Sequence, residues 1–298
     1  MPDRPSHRSG ASHRPLTSGG ARASTRAGGR AAWPVGPVTI PTGTVEVERD
    51  PEDPDGVTLL VNGVPSSYLD LADPARLDFE YMQQMAAVIA RVGLPGEPLD
   101  VVHLGAAGCA LARALHAQRP GSRQLAVELD PALPELVRAW FDLPRAPALR
   151  IRTGDARKEL ARLADRSADV VVRDVFAGDR TPEHVRTREL VADVARVLRP
   201  GGVFLANCAD RPPLAAARAE AATIADVFAQ VAVIAEPGLL RGRGYGNVVL
   251  AGTDDPVLLS SPTLARAVRS LPAPARLLAD DEARAFLAGT PVLRDPTV

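Results

Sequence analysis

The chain has 298 residues, 46% of them hydrophobic, and a formal net charge of −1. That is enough apolar material for one large α/β domain with a smaller appendage, and the near-neutral balance excludes a nucleic-acid binder held by bulk charge. Two cysteines, Cys109 and Cys208, give neither a disulfide framework nor a metal-ligand spacing, and no apolar run approaches the ~18 residues of a membrane span, so a cytoplasmic protein without a metal or a membrane partner is expected.

Residues 1–35 are rich in Ser, Gly, Arg and Pro, with Asp3 as the one acid. Such a segment buries too little apolar surface to order itself and is expected to be a disordered tail. It lacks the apolar core of a signal peptide. Residues 36–72 alternate apolar and polar positions around turn signals such as Asn62-Gly63, which predicts a small N-terminal β domain. Over 74–92 the apolar residues Leu77, Tyr81, Met85, Val88 and Ile89 recur at helical spacing, with Gly93 as a stop signal.

The main domain is expected over 73–255. Strands are predicted at 100–104, 124–128, 149–153, 169–173, 202–207, 230–235 and 246–251, and helices at 109–118, 131–140, 156–164, 181–198 and 213–228. Repeated βα units imply a parallel sheet covered on both faces. The last two strands are joined by too short a connection for a crossover helix and should pair antiparallel. Residues 256–298 are expected to form a helical extension.

In an open α/β sheet, ligands bind beyond the carboxyl ends of the strands. Three strand ends carry suitable groups. In HLGAAGCA, Gly105 and Gly108 follow a strand and open a helix, so the backbone can approach a ligand closely. In AVELDP, Glu128 ends the next strand, ~20 residues on, where an acid accepts ribose hydroxyls; Asp130, before Pro131, suits a helix cap. In RTGDAR, Asp155 can accept from an adenine amine and the Ala156 amide can bond a ring nitrogen, although Asp155 equally suits a helix cap. Asp174, after VVVR, is either an acid at the reacting centre or a loop-capping residue that bonds the amides of 176–178.

These motifs, in this order, resemble the class I S-adenosylmethionine-dependent methyltransferase fold, a seven-stranded Rossmann-like sheet here preceded by a small β domain. Within it, LLVNGVPSSYLDL, FEYMQQM, HLGAAG, VELDP, GDAR, VVRDVFAG and LRPGGVFLAN resemble the spermidine synthase (polyamine aminopropyltransferase) family over about residues 36–255. The resemblance implies S-adenosylmethionine or its decarboxylated form as co-substrate, a small-molecule amine as acceptor, and a homodimer. It implies that Asp174 takes the proton of an attacking amine while Tyr81 shapes the acceptor site. Three acids of the family pattern are replaced, by Gly108, Ala177 and Gln83; Asp179 and Glu183 are candidate substitutes on the acceptor side. Gly108 in place of an acid removes a repulsion toward the carboxylate of the intact donor. A methyltransferase acting on a small nucleophile and a non-catalytic nucleoside-binding protein therefore stand as alternatives.

Overall fold

The computed structural model describes residues 33–178 and 180–297. The tail expected over 1–35 lies almost wholly outside the described residues, and Asp179 lies outside them too. The alternating segment forms an antiparallel sheet, β1 (Val38–Ile40), β2 (Gly43–Arg49), β3 (Gly56–Val61) and β4 (Val64–Asp70), in the order β1-β2-β3-β4. Asn62 and Gly63 both take positive φ, as a two-residue hairpin turn requires. Val45, Val57, Leu59 and Leu69 are buried from this sheet.

The next helix, α1 (Glu80–Ile89), is shorter than the periodicity suggests. Asp70 accepts the amides of Ala72 and Asp73, and Asp73 accepts that of Ala75. These local bonds hold 71–76 in turns, where the helix would otherwise have begun. The βα units then follow: β5 (Asp100–Leu104), α2 (Ala110–Gln118), β6 (Arg123–Glu128), α3 (Leu133–Trp140), β7 (Leu149–Thr153), α4 (Ala156–Ala161) and β8 (Ala168–Arg173). A 3-10 turn (Glu183–Val185) leads to α5 (Arg188–Val197), β9 (Leu198–Asp210), α6 (Ala215–Ala225), β10 (Gln230–Ala235), α7 (Pro237–Leu240) and β11 (Gly246–Thr253). The helix expected from 181 therefore starts at Arg188, with the Thr187 hydroxyl accepting the Leu190 amide as its cap.

All seven predicted strands are present, and the last two are antiparallel. An eighth was not predicted. The segment after β11 contains α8 (Pro262–Arg269), β12 (Arg276–Leu278) and α9 (Asp280–Leu287), and β12 pairs with β10 at the sheet edge. Three residues are too few to show an alternating pattern, so this strand is set by its partner rather than by its own sequence. The sheet runs β12-β10-β11-β9-β8-β5-β6-β7. Strand order reverses at β5, which pairs with both β6 and β8 in parallel, and this switch point puts the ends of β5, β6 and β8 around one crevice. Val170 and Val172 bury against one helical layer and Val171 against the other, which explains the unbroken apolar run. Among the described residues no helix is long and apolar enough to cross a membrane.

The N-terminal sheet is bonded to the parallel one at three points. Asp130 accepts from the amide and hydroxyl of Thr42, both at 2.8 Å. Ser67 Oγ accepts from the Gly108 amide at 2.9 Å. Arg113 donates to the Asp70 carbonyl at 2.6 Å. Asp130 also accepts the Ala132 and Leu133 amides at the start of α3, the capping role expected of it.

Candidate active site

Asp174 stands one residue past β8, with its amide donating to the Leu104 carbonyl of β5 at 2.8 Å. Its carboxylate is bonded on both oxygens. Tyr81 Oη donates to Oδ2 at 2.8 Å, and Asn207 Nδ2 donates to Oδ1 at 3.1 Å. Side chains from α1 and β9 thus meet at the end of β8. The bonds go to these distant groups rather than to the amides of 176–178, so Asp174 is no loop cap. Burial raises its pKa above the ordinary value, against the opposing pull of the Tyr81 and Asn207 bonds and the Arg173 charge. Burial, the charge and hydrogen bond of Asp174, and the charge of Glu80 together push the Tyr81 hydroxyl well up, so it stays protonated and donates.

The turn after β5 lies against Asp174. Gly105 has φ +93°, and a Cβ there would fall 2.1 Å from the Asp174 carbonyl oxygen; only glycine fits. Glu128 faces the same turn. Its Oε2 accepts from the amides of Ala106 (3.3 Å) and Ala107 (3.0 Å), and its Oε1 from the Asp130 amide (3.1 Å). A carboxylate has about four acceptor positions, so Glu128 holds the turn in place with capacity left for a ligand. Gly108 is placed differently from the expectation. Its amide bonds Ser67, and an added Cβ would meet Ser67 Cβ at 2.8 Å and Leu69 at 3.1 Å. It is a packing glycine under β4.

Asp155 caps α4, accepting the Lys158 amide at 3.0 Å, and its other oxygen bonds His184 Nε2 at 2.9 Å. Burial works to raise its pKa, but these bonds and the charges of His184 and Lys158 outweigh it and hold the carboxyl below its usual range. Ala156 is buried as the first residue of α4. Glu128 and Asp155 therefore stand at the ends of the neighbouring strands β6 and β7.

A cavity of about 30 Å³ lies behind the turn, lined by Met82, His103, Gly105, Cys109 and Asp174 among others. It admits a water-sized group, far below the ~300 Å³ of a ligand cleft. His103 bonds Gln124 at 2.9 Å and burial drives its pKa down to about 4, so it is a neutral core residue. Burial, then the Glu128 charge, pushes the Cys109 thiol up to about 12, which removes it as a nucleophile. Phe176 is partly exposed, and Tyr245 is exposed beneath the Arg211 guanidinium. Glu183 is 88% exposed and lies 3.7 Å from Arg186.

Two polar residues of this region, Asn207 and Asn247, escape a reading of the sequence. Asn207 lies within an apolar strand and holds Asp174. Asn247, on β11, donates to Glu80 Oε1 at 2.8 Å. Arg173 turns to the face opposite Asp174 and forms a buried ion pair with Glu220 of α6 at 2.6 Å, while also donating to the Asn207 carbonyl at 2.9 Å.

Comparison with known proteins gives this geometry a family. Residues 102–206 match a methyltransferase domain, Methyltransf_11. The structure of a probable spermidine synthase from Corynebacterium glutamicum ATCC 13032 superposes with a TM-score of 0.82 and 37% identity, covering 89% of this chain and 98% of that one. The chain belongs to the spermidine synthase-like family. A polyamine aminopropyltransferase from Vibrio vulnificus (strain CMCP6) is 29% identical over 134 residues, 44% of each chain. An eEF1A lysine and N-terminal methyltransferase from Bos taurus is 27% identical over 158 residues, 48% of this chain and 23% of that one. The chain spans about half the length, or less, of the curated relatives it matches. By name these relatives are all transferases, and the spermidine synthase-like family shares its sheet with the methyltransferases.

Proposed function

We propose that the protein is a transferase that takes decarboxylated S-adenosylmethionine as co-substrate and moves its aminopropyl group to a small-molecule amine. The observation that carries this reading is the Tyr81–Asp174–Asn207 constellation at the end of β8, built against the Gly105 turn. Glu128 receives the ribose hydroxyls, and Asp155 with the Ala156 amide receives the adenine. A sulfonium donor supplies an activated carbon. The amine nitrogen forms its bond to that carbon as the carbon–sulfur bond breaks, the electron pair remains on sulfur, and methylthioadenosine leaves. Asp174 accepts the proton that the nitrogen sheds. Its raised pKa makes it a better acceptor than an exposed aspartate, and Tyr81 and Asn207 fix both oxygens so that one direction is presented to the amine.

The fold equally hosts methyl transfer. The chain's 37% identity to a probable spermidine synthase favours aminopropyl transfer. The test is calorimetric titration with S-adenosylmethionine, its decarboxylated form and methylthioadenosine, followed by a transfer assay on Asp174→Asn. The decarboxylated donor should bind tightest, and the variant should lose at least ~10²-fold in kcat with donor affinity within about twofold. Preference for the intact donor points to methyl transfer, and full turnover by Asp174→Asn removes that residue from the chemistry.

A further inference from the structure

The hollow behind the Gly105 turn admits only a water-sized group, but a larger one lies at one edge of the parallel sheet. β7 ends that sheet, with β6 on one side and no strand on the other. Beside it is an open cleft of about 620 Å³, lined by Arg138, Arg145, Arg150 and Arg152 together with Leu125 and Ile151. Its size falls within the ~300–1,000 Å³ of small-molecule sites. No carboxylate lines it among the described residues, and arginine keeps its charge at every working pH. The cleft shares no residue with the Tyr81–Asp174–Asn207 constellation, nor with Glu128 and Asp155.

The four guanidinium groups come from three places in the chain. Arg138 belongs to α3, and its Nη1 and Nη2 donate to the carbonyls of Pro144 and Leu149, both at 3.0 Å, which fixes its plane. Arg145 follows in the loop. Arg150 and Arg152 stand two positions apart on β7, hence on one face. Arg152 bonds Glu159 at 2.9 Å, but that carboxylate also holds Arg162. Arg145 and Arg150 are exposed and have no acid partner among the described residues. Charges on an edge strand guard it against pairing with other chains, which accounts for Arg150 and Arg152 alone. Arg138 and Arg145 lie off the strand and bring two further charges to the same cleft. The backbone adds a donor. Even-numbered positions of β7 bond β6, as the pairs Gln124 N with Ala148 O and Gly154 N with Glu128 O show, so the Ile151 amide points to the open side. Leu125 and Ile151, both half-buried, supply an apolar surface.

We propose that this cleft is a binding site for a small, multiply charged phosphate ester, with phosphate oxygens on Arg145 and Arg150 and the organic part on Leu125 and Ile151. Arginine suits phosphate because its fork of donors meets two oxygens at once. An anion there offsets the mutual repulsion of four like charges. The site is separate from the transfer reaction and does not depend on which group that reaction moves.

The experiment is calorimetric titration of the full chain with guanosine triphosphate and with inorganic tripolyphosphate, each with methylthioadenosine in excess to occupy the nucleoside crevice. The cleft variants are Arg145→Gln and Arg150→Gln, whose side chains carry no bond that the fold needs. Arg269→Gln is the control: Arg269 is exposed on α8, which packs beside β12 at the opposite edge of the sheet. Wild type should bind guanosine triphosphate more tightly than tripolyphosphate. Each cleft variant should weaken both by about 10- to 100-fold, and Arg269→Gln should leave both unchanged. No binding by wild type, or binding that neither cleft variant alters, overturns the site. Weakening by Arg269→Gln as large as that by Arg150→Gln shows diffuse attraction to a basic surface and overturns it too. Equal affinity for the two probes leaves the organic part without a seat and refutes the ester.

Discussion

Replacing Gly105 by alanine tests whether the turn and Asp174 form one unit. The new Cβ would lie 2.1 Å from the Asp174 carbonyl oxygen and 2.8 Å from its carbon. Ordinary contact begins at 3.4 Å, so the gap must open by about 1.3 Å. Both sides are backbone, so no side chain can swing away. The left-handed φ of +93° adds ~1–2 kcal/mol for a residue with a Cβ, and forced overpacking adds ~1–3 kcal/mol. The sum, about 2–5 kcal/mol, is a large part of a typical total of ~5–15 kcal/mol. A shift of ~1 Å at a reacting group also costs ~10²-fold in rate. Guanidinium denaturation should show that loss of stability, and the surviving folded fraction should turn over about a hundredfold more slowly. Gly96→Ala is the control, because Gly96 has φ +78° but nothing within 4 Å of its Cβ position, so backbone strain acts alone. If Gly105→Ala costs no more than Gly96→Ala and keeps its rate, the close approach of turn and acid has been misjudged.

Tyr81→Phe deletes the donor to Asp174 Oδ2, and with it ~1.5–3 kcal/mol of stabilisation of the charged carboxylate. Transfer requires that carboxylate, so the acid limb of the pH–rate profile should move to higher pH, by about one pH unit for each ~1.4 kcal/mol lost; an unmoved limb would show that Asp174 is not the titrating base. The linkage sign follows from the direction of the shift. Because its folded pKa is raised above 3.8, the contribution of Asp174 to stability is fully present below the ordinary carboxylate value and is lost as pH climbs through the folded one; equilibrium denaturation at several pH values should show that slope, steeper in Tyr81→Phe. Glu128→Ala should weaken methylthioadenosine binding more than about tenfold and lower stability by ~1–3 kcal/mol, because the Ala106, Ala107 and Asp130 amides lose their acceptor. Unchanged affinity would take Glu128 out of the pocket.

Much of this was legible in the sequence because it is local. Strand 100–104 is mostly apolar and 149–153 alternates apolar with charged residues, each followed by a glycine, and Asp130 and Asp155 cap helices within three residues of themselves. The switch-point crevice follows from the order of βα units. What escaped depends on distant partners. Asn207 looks like any polar residue at a strand end until folding brings it to Asp174, and Asn247 meets Glu80 only across 167 positions. Gly108 was misplaced for a related reason: a glycine-rich turn invites a ligand reading, whereas Ser67 of a separate sheet occupies the space in question. β12 is fixed by its pairing with β10, a tertiary constraint that no three-residue pattern encodes.

The ion pair between Arg173 and Glu220 bears on how this chain can change over generations. The two side chains are 1% and 4% exposed, and burial raises the Glu220 pKa against the pull of Arg173. Replacing both with apolar residues of similar volume is close to neutral in such pairs, but removing either one strands a buried charge at ~3–5 kcal/mol. The single-step intermediates would consume a large part of the stability of an ordinary domain. Positions 173 and 220 can therefore drift only together, and Arg173 is chain-adjacent to Asp174. An arginine at this point in a related sequence would record the history of a trapped pair, and a lineage that escaped it would carry two apolar residues at once.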